Sequence, residues 1–241
     1  MRKIMVTRLT SVLFLLAASL PVHAAPVTLV GDDVSFTFDD STLFGSGNVV
    51  GNSLFFQPED FKAESLNGNG GAGTVTASEN LIVTVVALNP DDYNMTSFAM
   101  VELGDYVQDG VDASVSASGR LGVTSLTTSC GSFSFPCTDS EIFNAGPFVD
   151  TAGATLDWSG DASVDLADTA GWGSDSEVEI SFQNNLAATT LNDGEQATIQ
   201  KKLGAIGLVV DPVFPPVPVP AAVWLFGTGL LGLIGVARRR C

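Results

Sequence analysis

The stretch VSFTF places Val34, Phe36 and Phe38 on one side of the chain and Ser35 and Thr37 on the other. The same alternation returns in EVEISF, where Val178, Ile180 and Phe182 share a face. It returns again in VDASVSA, with Val111, Ala113, Val115 and Ala117 in phase. Successive strand side chains point to opposite faces, so a two-residue period predicts strands with one face buried. LIVTVVA, residues 81–87, is apolar nearly throughout and β-branched, which marks a strand central to the core. Further strands are expected over residues 27–30, 54–56, 98–102, 155–158, 186–191, 197–200 and 205–210.

Between these runs lie GDD, NGNGG, NPDDYN and GWGSDS, clusters that turn a chain instead of extending it. No segment of residues 25–210 keeps a helical period for three turns, although PEDFKAESL, residues 58–66, could form one or two. Many short strands at such spacing predict an all-β, antiparallel β-sandwich of jelly-roll-like type, occupying residues 25–210 as one domain. Residues 127–154 read as a long loop. DPVFPPVPVP, residues 211–220, holds five prolines, which prevent ladder pairing and favour an extended spacer.

The two ends of the 241-residue chain are made of different material. Arg2, Lys3 and Arg8 precede a short apolar stretch, and Val22-His23-Ala24 supplies compact residues at the −3 and −1 positions of a cleavage site. Residues 1–24 are therefore expected to be a secretory signal peptide, cut between Ala24 and Ala25. Three more cations, Arg238, Arg239 and Arg240, lie at the far end. Only Lys62, Arg120, Lys201 and Lys202 remain between, against all 27 acids, a balance of 4 − 27 = −23. A surface of that sign repels phosphate backbones, so nucleic acid is not an expected partner. The only histidine, His23, leaves with the signal peptide, which removes triads, Cys-His dyads and histidine-ligated zinc from consideration.

Export also changes the reading of CGSFSFPC. In an oxidising compartment Cys130 and Cys137 are expected to close a small structural disulfide loop, worth about 2–3 kcal/mol by chain entropy. A redox pair is the competing reading, disfavoured because the spacing is not C-x-x-C.

Residues 221–237 form 17 consecutive residues without a charge. As a helix they span about 26 Å, close to the lower limit for a hydrocarbon core. Ala222 belongs to the run, and Val223, Leu225, Phe226, Leu230, Leu231, Leu233, Ile234 and Val236 favour insertion by roughly 0.3–0.6 kcal/mol each. Trp224 suits the outer interface, and Arg238, Arg239 and Arg240 supply the positive cytoplasmic end, residues 238–241. One C-terminal transmembrane helix is the expectation, with the acidic domain outside.

Proline motif, thin span and terminal arginines, in that order, resemble the PEP-CTERM protein-sorting tail of Gram-negative bacteria. VPVPAAVWLFGTGLLGLIGVARRR is similar to its VPLPA variant, with the motif on Val217, Pro218, Val219, Pro220 and Ala221. The resemblance implies an exosortase-type membrane processing enzyme as partner. It also implies transient residence in the inner membrane, then release to the cell surface or an extracellular polysaccharide matrix. Two features depart from the pattern: Val219 stands where the founding motif is acidic, and the chain stops on Cys241.

Candidate chemistry in the body is sparse. Asp91 and Asp92 in NPDDYN, and Asp175 and Glu177 in GSDSE, could contribute oxygens to calcium, but neither stretch has the spaced D-x-D-x-D-G pattern. A solvated acidic face is the favoured reading and no cofactor is expected. Trp158 ends an alternating strand and is expected in the core. Trp172, between Gly171 and Gly173, could expose a ring for stacking on sugars, as in a lectin-like carbohydrate-binding module. Carboxylate pairs for a glycosidase cannot be selected among so many acids. The chain reads as a non-enzymatic surface or matrix protein, structural or adhesive. A carbohydrate-binding module and a permanently anchored envelope protein are the alternatives.

Overall fold

The computed structural model describes residues 26–39, 43–68, 73–131 and 133–212. The signal peptide with its Ala24–Ala25 cut, the sorting motif at 217–221, the span and the terminal arginines lie outside the described residues. Among those described, no helix is long and apolar enough to cross a membrane.

The described residues form twelve strands: β1 (Pro26–Val30), β2 (Val34–Asp39), β3 (Gly47–Val50), β4 (Ser53–Phe56), β5 (Lys62–Leu66), β6 (Thr74–Ala87), β7 (Tyr93–Asp109), β8 (Ser114–Cys130), β9 (Phe135–Asn144), β10 (Leu156–Asp165), β11 (Glu177–Thr189) and β12 (Gln196–Pro212). All pair antiparallel. The first sheet runs β1-β2-β6-β11-β8-β9, the second β10-β7-β12-β4-β3, with β5 added beside β12. The inward faces meet in one core. Val34, Phe36 and Phe38 of β2, Val83 and Val85 of β6, and Val178, Ile180 and Phe182 of β11 enter from the first sheet. Phe98 and Met100 of β7, Ile199 and Ile206 of β12, and Leu54 and Phe56 of β4 enter from the second. The chain is thus an all-β antiparallel sandwich, as the two-residue period requires.

Several local expectations are corrected. Residues 58–66 do not turn into helix. Phe61, Ala63 and Ser65 alternate inward, and β5 pairs with the first residues of β12, which satisfies its backbone better than an isolated turn could. Residues 127–154 are not one long loop, because β8 continues to Cys130 and returns as β9. The strand expected from Val111 begins later. Val111 is 97% exposed in a turn, while Ala113, Val115 and Ala117 face the core. Trp158 lies near the start of β10, not at its end.

β12 holds the second sheet together and is not regular. It runs beside β7 along its whole length, but its register slips between Lys201 and Leu203. Lys202 is the extra residue of a bulge, which resets which side chains face inward. Before it Ala197, Ile199 and Lys201 point to the core, and after it Ile206 does. On the other edge of β12, β5 pairs with residues 196–200 and β4 with residues 204–207. In the gap between them the Lys201 amide donates to the Phe61 carbonyl at 2.9 Å.

Candidate functional site

The cysteines are placed as expected. Cys130 ends β8, Cys137 lies in β9, and their sulfurs bond across the hairpin with Cα atoms 4.8 Å apart. The acidic loops divide. Asp91 and Asp92 are exposed on a turn. Asp175 is buried, and its carboxylate accepts hydrogen bonds from Ser125 Oγ, Thr127 Oγ1, Trp172 Nε1 at 3.0 Å and the backbone amides of Ser176 and Glu177. Burial alone would raise its pKa, but these donors outweigh that and hold the carboxyl below its ordinary range. Asp175 organises the fold and is not turned toward a solvent ion. No group of three or more metal-ligating acids, cysteines or histidines occurs among the described residues.

Trp172 is correspondingly not an exposed platform. It is 5% exposed, held inward by its bond to Asp175. Although glycines flank it, the buried carboxylate three residues on draws the ring inside. Trp158 is core as expected, its Nε1 donating to the Gln200 carbonyl at 3.1 Å.

A cleft of about 570 Å³ does exist, on the first sheet. Antiparallel register places Gln183 between Asn80 and Arg120, and Asn185 between Ser78 and Ser118. Asn144 of β9 continues the second rank. These residues have the phase opposite to the core positions, so they form the solvent face of β6, β11, β8 and β9. Gly119 lies between the ranks, and a Cβ there would collide with the Phe143 ring beneath it. Arg120 Nη2 donates to Ser140 Oγ at 2.8 Å, and Ser181 Oγ to Asn80 Oδ1 at 3.0 Å. The cleft offers amides, hydroxyls, the Arg120 guanidinium and the Glu79 carboxylate, with Ile142 and Phe143 as apolar walls, a set suited to a polyhydroxylated ligand.

A second polar group lies inside the sandwich. Lys201 is completely buried; its Nζ is 2.7 Å from Glu102 Oε2 and in direct contact with Asn184 Oδ1. Glu102 comes from the neighbouring strand β7, Asn184 from β11 of the opposite sheet. Three rings surround the ammonium, with centroids 5.0 Å away for Phe44, 4.9 Å for Phe61 and 5.5 Å for Phe182. The Leu43 amide donates to Glu79 Oε2 at 2.9 Å, which ties the segment carrying Phe44 to β6. Burial raises the Glu102 pKa, against the opposing charge of Lys201 and the polar groups of Lys201 and Asn184 beside it. Burial also lowers Lys201 to about 8, against the attraction of Glu102 and, more weakly, Glu79. Both shifts favour the uncharged pair. Neither Glu102 oxygen accepts a well-directed hydrogen bond, and Asn184 Nδ2 donates none.

None of these three residues stood out by motif, but a signal was present in each strand. Glu102 is in phase with Phe98 and Met100, Asn184 with Ile180 and Phe182, and Lys201 with Ala197 and Ile199. A polar residue on the apolar phase of a strand is the mark of a buried polar group. No protein-family model matches this chain, and no curated protein matches its sequence.

Proposed function

We propose that this chain is an exported, non-enzymatic surface or matrix protein with a structural or adhesive role. In this reading the signal peptide at 1–24 directs export, and the VPVPA tail is handed to an exosortase-type enzyme in the inner membrane. The jelly-roll-like winding belongs to the same proposal, since β6, β7 and β8 alternate between the sheets. The observation that carries it is the Cys130–Cys137 bond across β8 and β9, a crosslink that persists outside a reducing cytosol. C-terminal mass spectrometry of the surface or secreted form tests the address. A terminus within or just after residues 217–221 is the expected result. A retained Arg238–Cys241 end would establish permanent anchoring instead, and two free thiols at Cys130 and Cys137 would remove the basis for export.

The cleft on the first sheet favours a second reading, binding of extracellular polysaccharide. Neutral amides and hydroxyls exchange hydrogen bonds with sugar hydroxyls, and the acidic surroundings select against anionic polymers. Glycan-array binding that disappears in Gln183→Ala or Asn185→Ala, with an unchanged melting temperature, supports this reading. An array with no signal for the folded wild type rejects it.

A further inference from the structure

We infer that Lys201 and Asn184 become joined by an intramolecular amide bond between Nζ and Cγ, with Glu102 as the proton shuttle, covalently uniting the two sheets of the sandwich. Three independent features of the interior lead there. The amine, the carboxamide and the carboxyl converge from β12, β11 and β7, each on a strand position that the core holds in place. Rigid placement of two reactants replaces a bimolecular encounter and lowers the entropic part of the barrier. The Nζ atom is in contact with the Asn184 carboxamide, whose electrophilic Cγ is one bond further on.

The protonation states are those the reaction needs. An ammonium has no lone pair, whereas burial favours the free amine at Lys201 and the protonated acid at Glu102. Phe44, Phe61 and Phe182 close the site from three sides, so water does not compete as the nucleophile. The Asn184 Nδ2 group is unpaired, and nothing holds it against departure.

The step balances without an oxidant, reductant or cofactor. The Nζ lone pair forms a bond to Cγ, and the carbonyl π electrons move to Oδ1. Glu102 takes a proton from Nζ and delivers a proton to Nδ2. The carbonyl re-forms as the Cγ–Nδ2 bond breaks, and that electron pair leaves with ammonia. The product is a secondary amide, one free ammonia and a neutral Glu102 carboxyl. A buried amine and carboxamide are thereby replaced by one buried amide whose N–H can donate to Glu102. The product cannot ionise at Nζ, so no ammonium can form in this apolar interior.

The crosslink joins strands adjacent in sequence but in opposite layers, since Asn184 and Lys201 are 17 positions apart. It also secures β12, which pairs with β7, β5 and β4 and is the last strand before the spacer.

Peptide mapping of the purified, folded wild-type protein, reduced and denatured, tests this directly. Trypsin combined with an acid-specific protease, which cuts at Glu195 between the two residues, should release a branched peptide joining the Asn184 and Lys201 segments. Its mass should be the sum of the two linear peptides less one ammonia. Lys201→Arg should yield only linear peptides. Glu102→Gln, which keeps the shape of the side chain, should retain the ammonia in most molecules. Recovery of linear wild-type peptides, with Lys201 open to amine labelling after denaturation, would overturn the inference. Because the wild type alone decides, a variant that fails to fold does not obscure the answer.

Discussion

Asp175 and Glu102 are both buried, and they are accommodated in opposite ways. Asp175 is surrounded by hydroxyls, an indole and two backbone amides that all donate to it, so it remains an anion. Glu102 meets a lysine, a carboxamide and apolar walls, and its oxygens lack well-directed donors. Hydrogen bonds to the charged form compensate desolvation; a single opposite charge in a phenylalanine cage does so poorly. The satisfied carboxylate is a fixed structural hub, whereas the unsatisfied one belongs to a set of groups still able to react. Burial alone therefore does not distinguish structure from chemistry. Completeness of hydrogen bonding does.

The contrast is broken most severely by stranding one member of the second group. Lys201→Ala leaves Glu102 without its partner beside an emptied cage, and is expected to cost about 3–5 kcal/mol in urea unfolding. Asp175→Ala removes the acceptor shared by Ser125, Thr127 and Trp172, with an expected loss of about 1–3 kcal/mol measured in the same way. It should also raise the quenching of Trp172 fluorescence by iodide, as the ring loses its anchor.

A pH titration sharpens the difference. Asp175 and Glu195 both have folded pKa values below their ordinary ones, 3.8 and 4.5, and Glu195 is lowered to about 2. Glu195 is held there by the backbone amides of Asp112 and Asn192, despite opposition from burial, and further by the Asn192 side chain and the Leu191 amide. Below the ordinary values the unfolded chain binds more protons than the folded one. The contribution of these groups is complete above the unfolded pKa and is lost as pH falls through the folded one. Melting temperature should fall between about pH 4.5 and pH 2, and Glu195→Gln should flatten that slope. The smallest effect is expected at the exposed loop. Asp91→Asn should change stability by less than about 0.5 kcal/mol, with the same melting temperature in calcium as in chelator.

Much of the sandwich was legible in the alternation. VSFTF and EVEISF became β2 and β11 with the expected residues inward. EVEISF and the run near Leu186 proved to be one strand, as did residues 197–200 and 205–210, because polar residues and a bulge interrupt a pattern without ending a ladder. The error at residues 58–66 arose from local helical preference being set against a partner strand more than a hundred positions away. The error at Trp172 had the same origin, since its anchor Asp175 is itself held by Ser125 and Thr127 of another strand. The polar cleft was hidden for a related reason: its amides and hydroxyls are ordinary solvent-face residues until register aligns them.

What the residues determined alone was phase. Strand pleating assigns each side chain to one face or the other, which puts Glu102, Asn184 and Lys201 in phase with apolar neighbours. What tertiary structure decided was meeting. Pairing between distant strands, the stacking of one sheet on the other and the extra residue Lys202 bring those three groups to a single point. A local period cannot carry that information, because the distances involved depend on contacts between positions far apart in the chain.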